Sequence, residues 1–382
     1  MSYLNKYKIA FIGWNPFQFL HIYDLAKEIP NSVFILEKRS NNNQKYFSNE
    51  LLQNTKVPII QINSQKLLEI DNQYDILIVQ TYFYPLEKFK HSKIVMLQYG
   101  YAKEPHNYGV WRAIATLNIT YGDYARKKIL PYSPSIATGN PRYDKWKTKS
   151  FHHKVKKKYN LPFKHTQTIL YMPTWGDLSS FSLYIQKILE LQKNFNILLK
   201  IHHNTDFFEK KTIKQKENIY LFGANYDNIE LLALADIVIS DYSGAIFDAF
   251  YCKKRIILLN LPKKVLQKSL KIDPYSIELH QRELLGESIQ SPQNFHQEFQ
   301  TILEKPFTFN KKSNELYQEL FKETNQASKN FIIALYKLMQ GEYKQTQSQK
   351  YIQQYIITSY NKQCISDIII NKLKSIYKFL KH

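Results

Sequence analysis

A turn between an apolar run and a helical pattern carries the residues with the clearest chemical potential. Asp241, Ser243 and Gly244 follow the apolar run 237–240 and precede the helical pattern. The first backbone amides of a helix lack intrahelical partners, and the helix dipole adds partial positive charge there. Ser243 supplies a hydroxyl and Gly244 lets a phosphate approach the backbone, so the turn predicts a metal-free diphosphate site. The alternative is an ordinary helix cap, because Asp241 and Ser243 are common capping residues.

Two further polar segments follow apolar runs in the same half of the sequence. Thr174 and Trp175 follow the first of these runs, and His202 and Asn204 follow the second. Because ligands of open α/β sheets bind at the carboxyl ends of strands, we expect these residues to line one crevice with the turn. The pair His202 and His203 also raises the question of zinc, but no third ligand stands at a recognisable spacing, and we predict no metal. For His202 the alternative is a histidine at a strand end that serves only the fold.

The stretch MLQYGYAKEPHNYG (96–109) closes an apolar run in the first half of the chain. Gly100 is predicted to be the turn that ends the strand. Tyr99, Lys103 and His106 bring a phenol, an ammonium and an imidazole next to this turn. Side chains of these types can take part in acid–base chemistry, so the loop is a candidate for a chemical role. The alternative is a tyrosine-rich turn without a chemical role.

Continuous apolar runs alternate with helical segments along most of the chain, which is typical of fully buried parallel strands in βαβ units. The first series of runs is 8–14, 32–36, 57–62, 74–80 and 93–99, and the second is 167–172, 194–202, 218–223, 235–240 and 255–260. A polar, basic segment, residues 138–160, separates the two series. We therefore predict an α/β protein with two Rossmann-like domains, residues 1–150 and 151–310, followed by a helical tail, residues 311–382.

The tail ends in a basic amphipathic segment, residues 361–382. Its apolar side chains share one helical face, and lysines occupy much of the remainder. The apolar residues are Ile365, Ile368, Ile369, Leu373, Ile376, Tyr377 and Leu380, and the lysines are Lys372, Lys374, Lys378 and Lys381. Two interpretations stay open. The segment is either a terminal helix that packs on the protein, with the tail returning to the N-terminal domain, or a helix that lies in an anionic membrane surface.

Composition limits the class of protein. The 382 residues carry a formal net charge of +21, and 44% of them are hydrophobic, which fits a folded protein with an acidic partner. The lysines are dispersed and no nucleic-acid motif appears, so we expect a phosphorylated substrate or an anionic lipid surface and no nucleic acid. Cys252 and Cys364 lie far apart, which fits a reducing compartment, and no window of ~18 apolar residues occurs that could span a membrane. We therefore predict a cytoplasmic protein that binds peripherally to the inner face of the cell membrane.

Several motifs resemble segments of the CDP-glycerol glycerophosphotransferase family, whose enzymes build teichoic acids and capsular polymers. They are ILYMPTWGD (169–177), KIHHN (200–204), LLALADIVISDYSGAIFDAF (231–250) and TGNPRYD (138–144). The resemblance covers roughly residues 95–265. It implies a GT-B fold, in which the second domain holds a cytidine nucleotide and the first domain presents the acceptor across a cleft.

The resemblance also implies roles for single residues. On the donor side these are Thr174, Trp175, His202, Asn204, Asp241, Ser243, Gly244 and Asp248. Ser243 and Gly244 would hold the donor diphosphate, in a turn that Asp241 would shape. His202 would contact or neutralise the phosphate that is transferred. The residues on the acceptor side are Asn15, Gly100 and Lys103.

The sequence departs from the family pattern at the expected base. Tyr99 stands where many members have a histidine, and a phenol with a pKa of about 10 is a poor base at neutral pH. Either Lys103 lowers the pKa of Tyr99, or His106, whose pKa suits the task better, accepts the proton instead. Two other departures are His203 in place of a proline and Gly176 in place of an arginine.

The resemblance implies a transferase that moves glycerol phosphate, or a related polyol phosphate, from a CDP-activated donor to a hydroxyl of a surface polysaccharide or teichoic-acid-like acceptor, with release of CMP. A helix N-terminus and a histidine can stabilise the phosphoryl oxygens, so we expect no metal and no cofactor beyond the donor. Because fold does not fix the substrate, two alternatives stay open. One is a GT-B glycosyltransferase of capsule or lipopolysaccharide synthesis that uses a CMP- or UDP-linked sugar, and the other is a non-catalytic nucleotide-binding scaffold.

Overall fold

Two β-sheets organise the chain in a computed structural model, which describes residues 4–39, 47–53, 55–201, 218–269 and 273–362. The first sheet contains β1 (Ile9–Gly13), β2 (Ser32–Lys38), β3 (Ile59–Asn63), β4 (Ile76–Val79), β5 (Lys93–Leu97), β6 (Leu117–Thr120) and β7 (Ser135–Ala137). The second sheet contains β8 (Thr168–Met172), β9 (Asn196–Lys200), β10 (Ile219–Phe222), β11 (Ile237–Ser240), β12 (Arg255–Leu259) and β13 (Glu287–Ile289).

Helices cover both sheets. Those of the first half are α1 (Pro16–Glu28), α2 (Asn49–Gln53), α3 (Glu104–Tyr108) and α4 (Asp123–Ile129), and α5 (Lys149–Tyr159) follows them. The second half contains α6 (Phe181–Glu190), α7 (Asn228–Leu234), α8 (Ala245–Tyr251), α9 (Lys263–Lys268), α10 (Ile277–His280), α11 (Arg282–Leu285) and α12 (Phe295–Glu304). The last described helices are α13 (Lys311–Leu320), α14 (Ala327–Met339) and α15 (347–362). Short 3₁₀ helices lie at Ser64–Ile70, Leu86–Lys88, Val110–Ile114, Pro141–Tyr143, Gly176–Leu178 and Leu191–Lys193.

Both sheets have the strand order of a Rossmann domain. Within the described residues, the first runs β3-β2-β1-β4-β5-β6-β7 and the second runs β10-β9-β8-β11-β12-β13. The strand pairs are parallel. Each order reverses at a central pair, β1 with β4 and β8 with β11, and the loops beyond the carboxyl ends of such a pair open a ligand crevice. The predicted α/β class with two Rossmann-like units is thereby confirmed.

The strands are apolar at almost every position because both faces of each sheet are covered. Ile9 and Phe11 of β1 enter one hydrophobic cluster, whereas Ala10 and Ile12 enter another on the opposite face. The long apolar runs of the sequence correspond to observed strands. The sequence analysis missed β6, β7 and β13, which have four, three and three residues and include polar ones.

Helix α1 leaves the carboxyl end of β1 with a defined direction. Asn15 Oδ1 accepts a hydrogen bond of 2.9 Å from the Gln18 amide, and Pro16 occupies the first turn. Asn15 is therefore a helix cap, and its predicted place on the acceptor side stays a prediction. Its cap orients a helix that buries Phe19 and His21 on the side of the first sheet.

The chain returns to the first half after α12. The Lys322 amide donates a hydrogen bond of 2.8 Å to the Tyr121 carbonyl oxygen. Asp144 accepts bonds of 2.9 and 2.8 Å from the amides of Ala327 and Ser328, the first residues of α14. An acidic side chain at a helix N-terminus satisfies otherwise unpaired amides and complements the dipole. Helices α13 and α14 thus complete the surface of the first half.

Helix α15 packs on the other face of the first sheet. Ile356 and Tyr360 lie against the cluster of Ala10 and Ile12, and Gln353 Nε2 donates to the Ala113 carbonyl oxygen at 2.9 Å. Most of the predicted amphipathic segment, from residue 363 onward, lies outside the described residues, as does Cys364. Within the described part of the chain, no helix combines the length and the hydropathy needed to cross a bilayer.

Gly122 permits the close passage of α13 over the first half. A Cβ atom at this position would collide with the backbone carbonyl of Leu320 and would lie 2.8 Å from the Glu319 carbonyl oxygen. We expect Gly122→Ala to destabilise the protein by roughly 1–3 kcal/mol, because neither backbone group can move freely. Thermal unfolding measures the change. Gly244→Ala is the matched control, since its Cβ meets no atom within 4 Å, and equal melting temperatures for the two variants would contradict the close passage.

Candidate functional site

A cleft of about 680 Å³ lies between the two sheets. Its walls are the segments that follow β1 and β5 in the first sheet and β8 and β11 in the second. The carboxyl ends of both sheets therefore open toward one shared space. This is the position at which doubly wound sheets bind ligands.

Most of the site residues predicted from the sequence meet in this cleft. Those that line it are Tyr99, Gly100, Lys103, His106, Thr174, Trp175, Ser243, Gly244 and Asp248. Asn15 and Asp241 are described but do not line it. His202 and Asn204 lie outside the described residues.

Asp241 is fully buried beneath the second-half wall of the cleft. One carboxylate oxygen accepts a hydrogen bond of 2.8 Å from the Thr174 amide, and the other accepts bonds of 2.8 Å from the amide and the hydroxyl of Ser180. Burial raises the pKa of Asp241, and these hydrogen bonds oppose the rise. Both oxygens are engaged by Thr174 and Ser180, so Asp241 fixes the loop after β8 to the turn after β11 and does not itself line the cleft. Its place on the donor side stays a prediction.

Ser243 and Gly244 form the surface of that turn. Ser243 Oγ accepts a hydrogen bond of 3.2 Å from the Ala245 amide, which is the capping geometry that the sequence left as an alternative. A Cβ atom on Gly244 would meet nothing within 4 Å. The backbone at Gly244 is therefore uncovered and open to a molecule in the cleft.

Asp248 belongs to a buried ionic network that joins the two halves. Its carboxylate lies 3.2 Å from the Arg142 guanidinium and accepts a bond of 2.7 Å from the Tyr143 hydroxyl. Arg142 also pairs with Asp227 at 2.9 Å, and Lys145 lies 2.9 Å from the same carboxylate. Burial alone would raise the pKa of Asp227, but Lys145 and Arg142 hold it well below its usual range. Asp248 lines the cleft as a paired carboxylate beside Arg142. Of these two residues, only Asp248 was predicted from the sequence as a site residue.

His21 is a second cleft residue that the sequence analysis missed. Its side chain is buried on α1, with its ring centroid 3.8 Å from that of Phe17 and 6.0 Å from that of Tyr99. Among the described residues, neither of its ring nitrogens has a hydrogen-bond partner. Burial, and after it the charge of Arg142, lower the pKa of His21 well below its usual range, so the imidazole is neutral at pH 7. The sequence feature that could have identified His21 is its position on the helix that follows the first strand.

The two bases expected from the sequence have different environments. Desolvation raises the pKa of Tyr99 to about 12, so the expectation that Lys103 lowers it is wrong. His106 is exposed on α3. Desolvation, Lys103 and Arg112 lower its pKa, so its imidazole is also neutral at pH 7. The phenol of Tyr99 is therefore a weaker base than the sequence indicated, and His106 keeps an accessible neutral ring.

The loop that carries these residues is bonded to the second half. The Lys103 amide donates to Glu278 Oε1 at 2.7 Å, and the Glu104 amide donates to Ser276 Oγ at 3.0 Å. Lys103 adopts the left-handed conformation, with φ of 56°. Both domains thus hold the loop beside the cleft. Over the described residues, no group of three or more histidine, cysteine or acidic side chains is placed to hold a metal ion.

Glu278 makes the stability of this contact depend on pH. Its carboxyl is buried, Oε2 has no partner among the described residues, and burial raises the pKa to about 7 from an ordinary value of 4.5. Between these pH values the folded protein keeps a proton that the unfolded chain has lost, so stability falls as the pH rises through this window. Glu278→Gln retains the acceptor for Lys103 and removes the buried charge.

We expect Glu278→Gln to exceed the parent protein in unfolding free energy by roughly 2 kcal/mol at pH 8 and to equal it at pH 4. Urea unfolding at the two pH values measures the difference. Glu283→Gln is the control, because Glu283 is exposed on the neighbouring α11. A gain for Glu278→Gln that is the same at both pH values would contradict the buried proton.

Solved structures share this two-sheet arrangement. A variant of the wall teichoic acid polymerase TagF soaked with CDPG has a TM-score of 0.64 at 15% identity, over 88% of this chain and 90% of that one. UDP-GlcNAc 2-epimerase from Neisseria meningitidis, bound to UDP-GlcNAc, has a TM-score of 0.57 at 12% identity, over 86% and 100% of the two chains. The enzyme from Methanocaldococcus jannaschii, in complex with UDP-GlcNAc and UDP, has a TM-score of 0.54 at 13% identity, over 86% and 99%. At these identities the likeness shows the fold, which is of the GT-B type.

The chain also matches a family at the level of sequence. No curated protein matches it. The model of the family described as CDP-Glycerol:Poly(glycerophosphate) glycerophosphotransferase matches residues 125–335, more than half of the chain. This range contains Arg142, the loop after β8 and the turn with Ser243 and Gly244. The chain therefore belongs to the CDP-glycerol glycerophosphotransferase family, as an enzyme-like member with a GT-B fold.

Proposed function

We propose that the protein transfers glycerol phosphate from CDP-glycerol to a hydroxyl of a surface polymer and releases CMP. The observation that carries the proposal is the uncovered backbone at Gly244, which faces an open cleft with cationic side chains on its walls. A chain of this family has a diphosphate donor to bind, and such a surface suits its oxygens. Lys103, Arg142 and Lys200 are the cations that line the same space.

The second-half wall suits a nucleotide. Trp175 is 38% exposed and lines the cleft, so its ring offers an aromatic face for a pyrimidine base. Thr174 lies beside it, and its amide is already bonded to Asp241. In the proposed complex the diphosphate continues from the base toward Gly244 and Lys200. His202 and Asn204 stay predicted donor contacts.

The reaction is an in-line displacement at phosphorus. The acceptor oxygen attacks the glycerol-bearing phosphorus of the donor, the acceptor loses its proton to a base, and the bridging P–O bond breaks with its electron pair leaving on CMP. Negative charge grows on the phosphoryl and leaving oxygens. Fixed cations and backbone amides at the cleft stabilise this charge most when water is excluded. His106 and Tyr99 are the base candidates from the sequence, and desolvation of Tyr99 favours His106 of the two.

Release of nucleotide from defined donors tests the proposal. The purified protein is given CDP-glycerol, CDP-ribitol, CMP-linked and UDP-linked sugars, each with polymer or lipid-linked acceptors, and free CMP and UDP are measured. We expect CMP from CDP-glycerol. UDP or CMP release only from sugar donors would favour a glycosyltransferase, and nucleotide binding without turnover of any pair would favour a non-catalytic scaffold.

A side chain at position 244 should block the donor without harming the fold. A Cβ on Gly244 meets no protein atom within 4 Å, so Gly244→Val fills space that belongs to the cleft. We expect the affinity for CDP to fall at least about tenfold, or about 1.4 kcal/mol, with an unchanged melting temperature. Calorimetric titration with CDP measures it. Ser150→Val, on the exposed side of α5, is the control, and unchanged CDP affinity in Gly244→Val would remove the turn from the donor site.

We further propose that the lysine-rich tail binds anionic lipid, so that the enzyme meets a membrane-linked acceptor. The support is the net charge of +21 and the spacing of apolar residues and lysines after residue 361. Replacement of Lys372, Lys374, Lys378 and Lys381 by Gln should reduce sedimentation with phosphatidylglycerol vesicles.

A matched variant separates this from a general effect of charge. Lys149, Lys154, Lys156 and Lys157 are exposed on α5, and their replacement by Gln removes the same four charges elsewhere. The tail variant should lose most of its binding, and the α5 variant should keep it. Equal losses in the two variants would show that only the total charge matters.

A further inference from the structure

Unpartnered polar atoms gather on the wall of the cleft formed by the first half. Among the described residues, both ring nitrogens of His21, the hydroxyl of Tyr101, Oδ1 of Asn107 and Nε of Arg142 are buried without a hydrogen-bond partner. All four residues line the cleft. Buried polar groups are normally paired, and unpaired ones cost stability. Their concentration on one wall marks a place where a ligand rich in hydrogen-bonding groups completes them.

His21 occupies a dry position within this wall. Its side chain is 5% exposed. The ring packs at 3.8 Å against Phe17 and at 6.0 Å from Tyr99, measured between centroids. The charged groups that act on it are Arg142, Asp227 and Lys145. None of them bonds to the imidazole, so its nitrogens are directed at no protein group of the described chain.

The position of His21 relates it to the donor turn. Asp248 lies one helical turn beyond Gly244, and it pairs with Arg142 at 3.2 Å. The guanidinium of Arg142 lies 5.9 Å from the centroid of Phe17, against which His21 packs. His21 and the uncovered backbone of Gly244 therefore face the same volume from opposite halves. An acceptor that enters the cleft lies between the wall that carries His21 and the wall that carries Gly244.

We propose that His21 accepts the proton of the acceptor hydroxyl, an assignment that depends on the phosphoryl transfer proposed above. The acceptor O–H bond breaks, its electron pair forms the new O–P bond, and the proton passes to the unprotonated ring nitrogen. The bond between phosphorus and the bridging oxygen breaks, and its pair leaves on CMP. The imidazolium returns its proton to water after CMP departs.

The other two candidates fit this role less well. Tyr99 has a pKa of about 12, so its phenolate is scarce at neutral pH. His106 is exposed, so water competes with an acceptor hydroxyl for the place beside its ring. The ring centroid of His21 stands 6.0 Å from that of Tyr99. An imidazole from α1 thereby reaches the region that the phenol of Tyr99 cannot serve as a base.

The charge of Arg142 couples His21 to donor binding. In the protein alone, burial and then Arg142 lower the pKa of His21. An anionic diphosphate beside Arg142 offsets this positive charge and raises the pKa of the imidazole. The base strength of His21 therefore increases when the donor is bound, and Asp227 acts in the same direction while Lys145 opposes it.

Two substitutions at position 21 test the role, so that the test does not depend on the correct folding of a single variant. His21→Asn and His21→Phe both remove the base, and Phe also removes two unpaired buried nitrogens. We expect CMP release from CDP-glycerol to fall by about a hundredfold or more in both variants. The affinity for CDP should stay within about twofold, and the melting temperature of His21→Phe should be equal or higher. His296→Asn, exposed on α12 and remote from the cleft, is the control.

Turnover by His21→Phe equal to that of the parent protein would overturn the assignment and leave the proposed function intact. A hundredfold loss of CMP release in His106→Asn, without such a loss in His21→Phe, would overturn the assignment in the same way. Absence of CMP release by the parent protein would count against the proposed function instead. A measurement without turnover then decides on His21: its ring resonances, assigned by comparison with His21→Asn, are titrated by NMR with and without CDP. We expect a higher pKa with CDP, and an unchanged pKa would overturn the proposal.

Discussion

The charge of Arg142 is the constraint on which the two-domain arrangement depends. A guanidinium that is 2% exposed needs anionic partners, and both of them, Asp227 and Asp248, come from the other half of the chain. Removal of the guanidinium would leave Asp248 buried without its cation, at a cost of several kcal/mol. The ion pairs therefore fix the distance between the sheets, and with it the width of the cleft. Because Arg142 and Asp248 also line that cleft, the residues that hold the domains together are part of the surface a substrate meets.

The two walls of the cleft differ in what they present. The second half offers backbone at Gly244, an aromatic ring at Trp175 and a cation at Lys200. The buried carboxylate of Asp241 holds the loops of Gly244 and Trp175 together. The first half offers imidazoles, phenols and cations whose polar atoms are in part unsatisfied. An anionic nucleotide suits the wall of the second half, and a hydroxyl-bearing acceptor suits the wall of the first half. The polarity of the proposed reaction follows from this division, since the base and the phosphorus approach from opposite halves.

Periodicity and residue type were sufficient to predict much of the molecule. Runs such as 93–99 are apolar because their strands are covered on both faces, so these strands can be recognised from the sequence alone. Strands β6 and β7 do not, because Asn118 and Ser135 interrupt short segments that pair only through the tertiary fold. The rule that ligands lie at the carboxyl ends of strands located Thr174, Ser243 and Gly244 in advance. It did not locate Arg142 or His21, because their significance comes from groups that are distant in the sequence and that only the fold brings beside them. For Asp241 the polarity was visible in the sequence, but the amides of Thr174 and Ser180 that it engages were not.

The last helices of the chain have a consequence for how the protein is made. Phe331 and Leu335 of α14 belong to the same hydrophobic cluster as Ile9 and Phe11 of β1, and α15 covers the opposite face of that sheet. The first half therefore leaves the ribosome with its sheet only partly covered by its own helices, and it acquires the packing of α13, α14 and α15 only when residues 311–362 have been synthesised. Its folding cannot finish before translation of the second half does. A chain that is truncated after the second sheet thus exposes apolar surface in its N-terminal half. A stable N-terminal domain therefore requires that the C-terminal helices be synthesised.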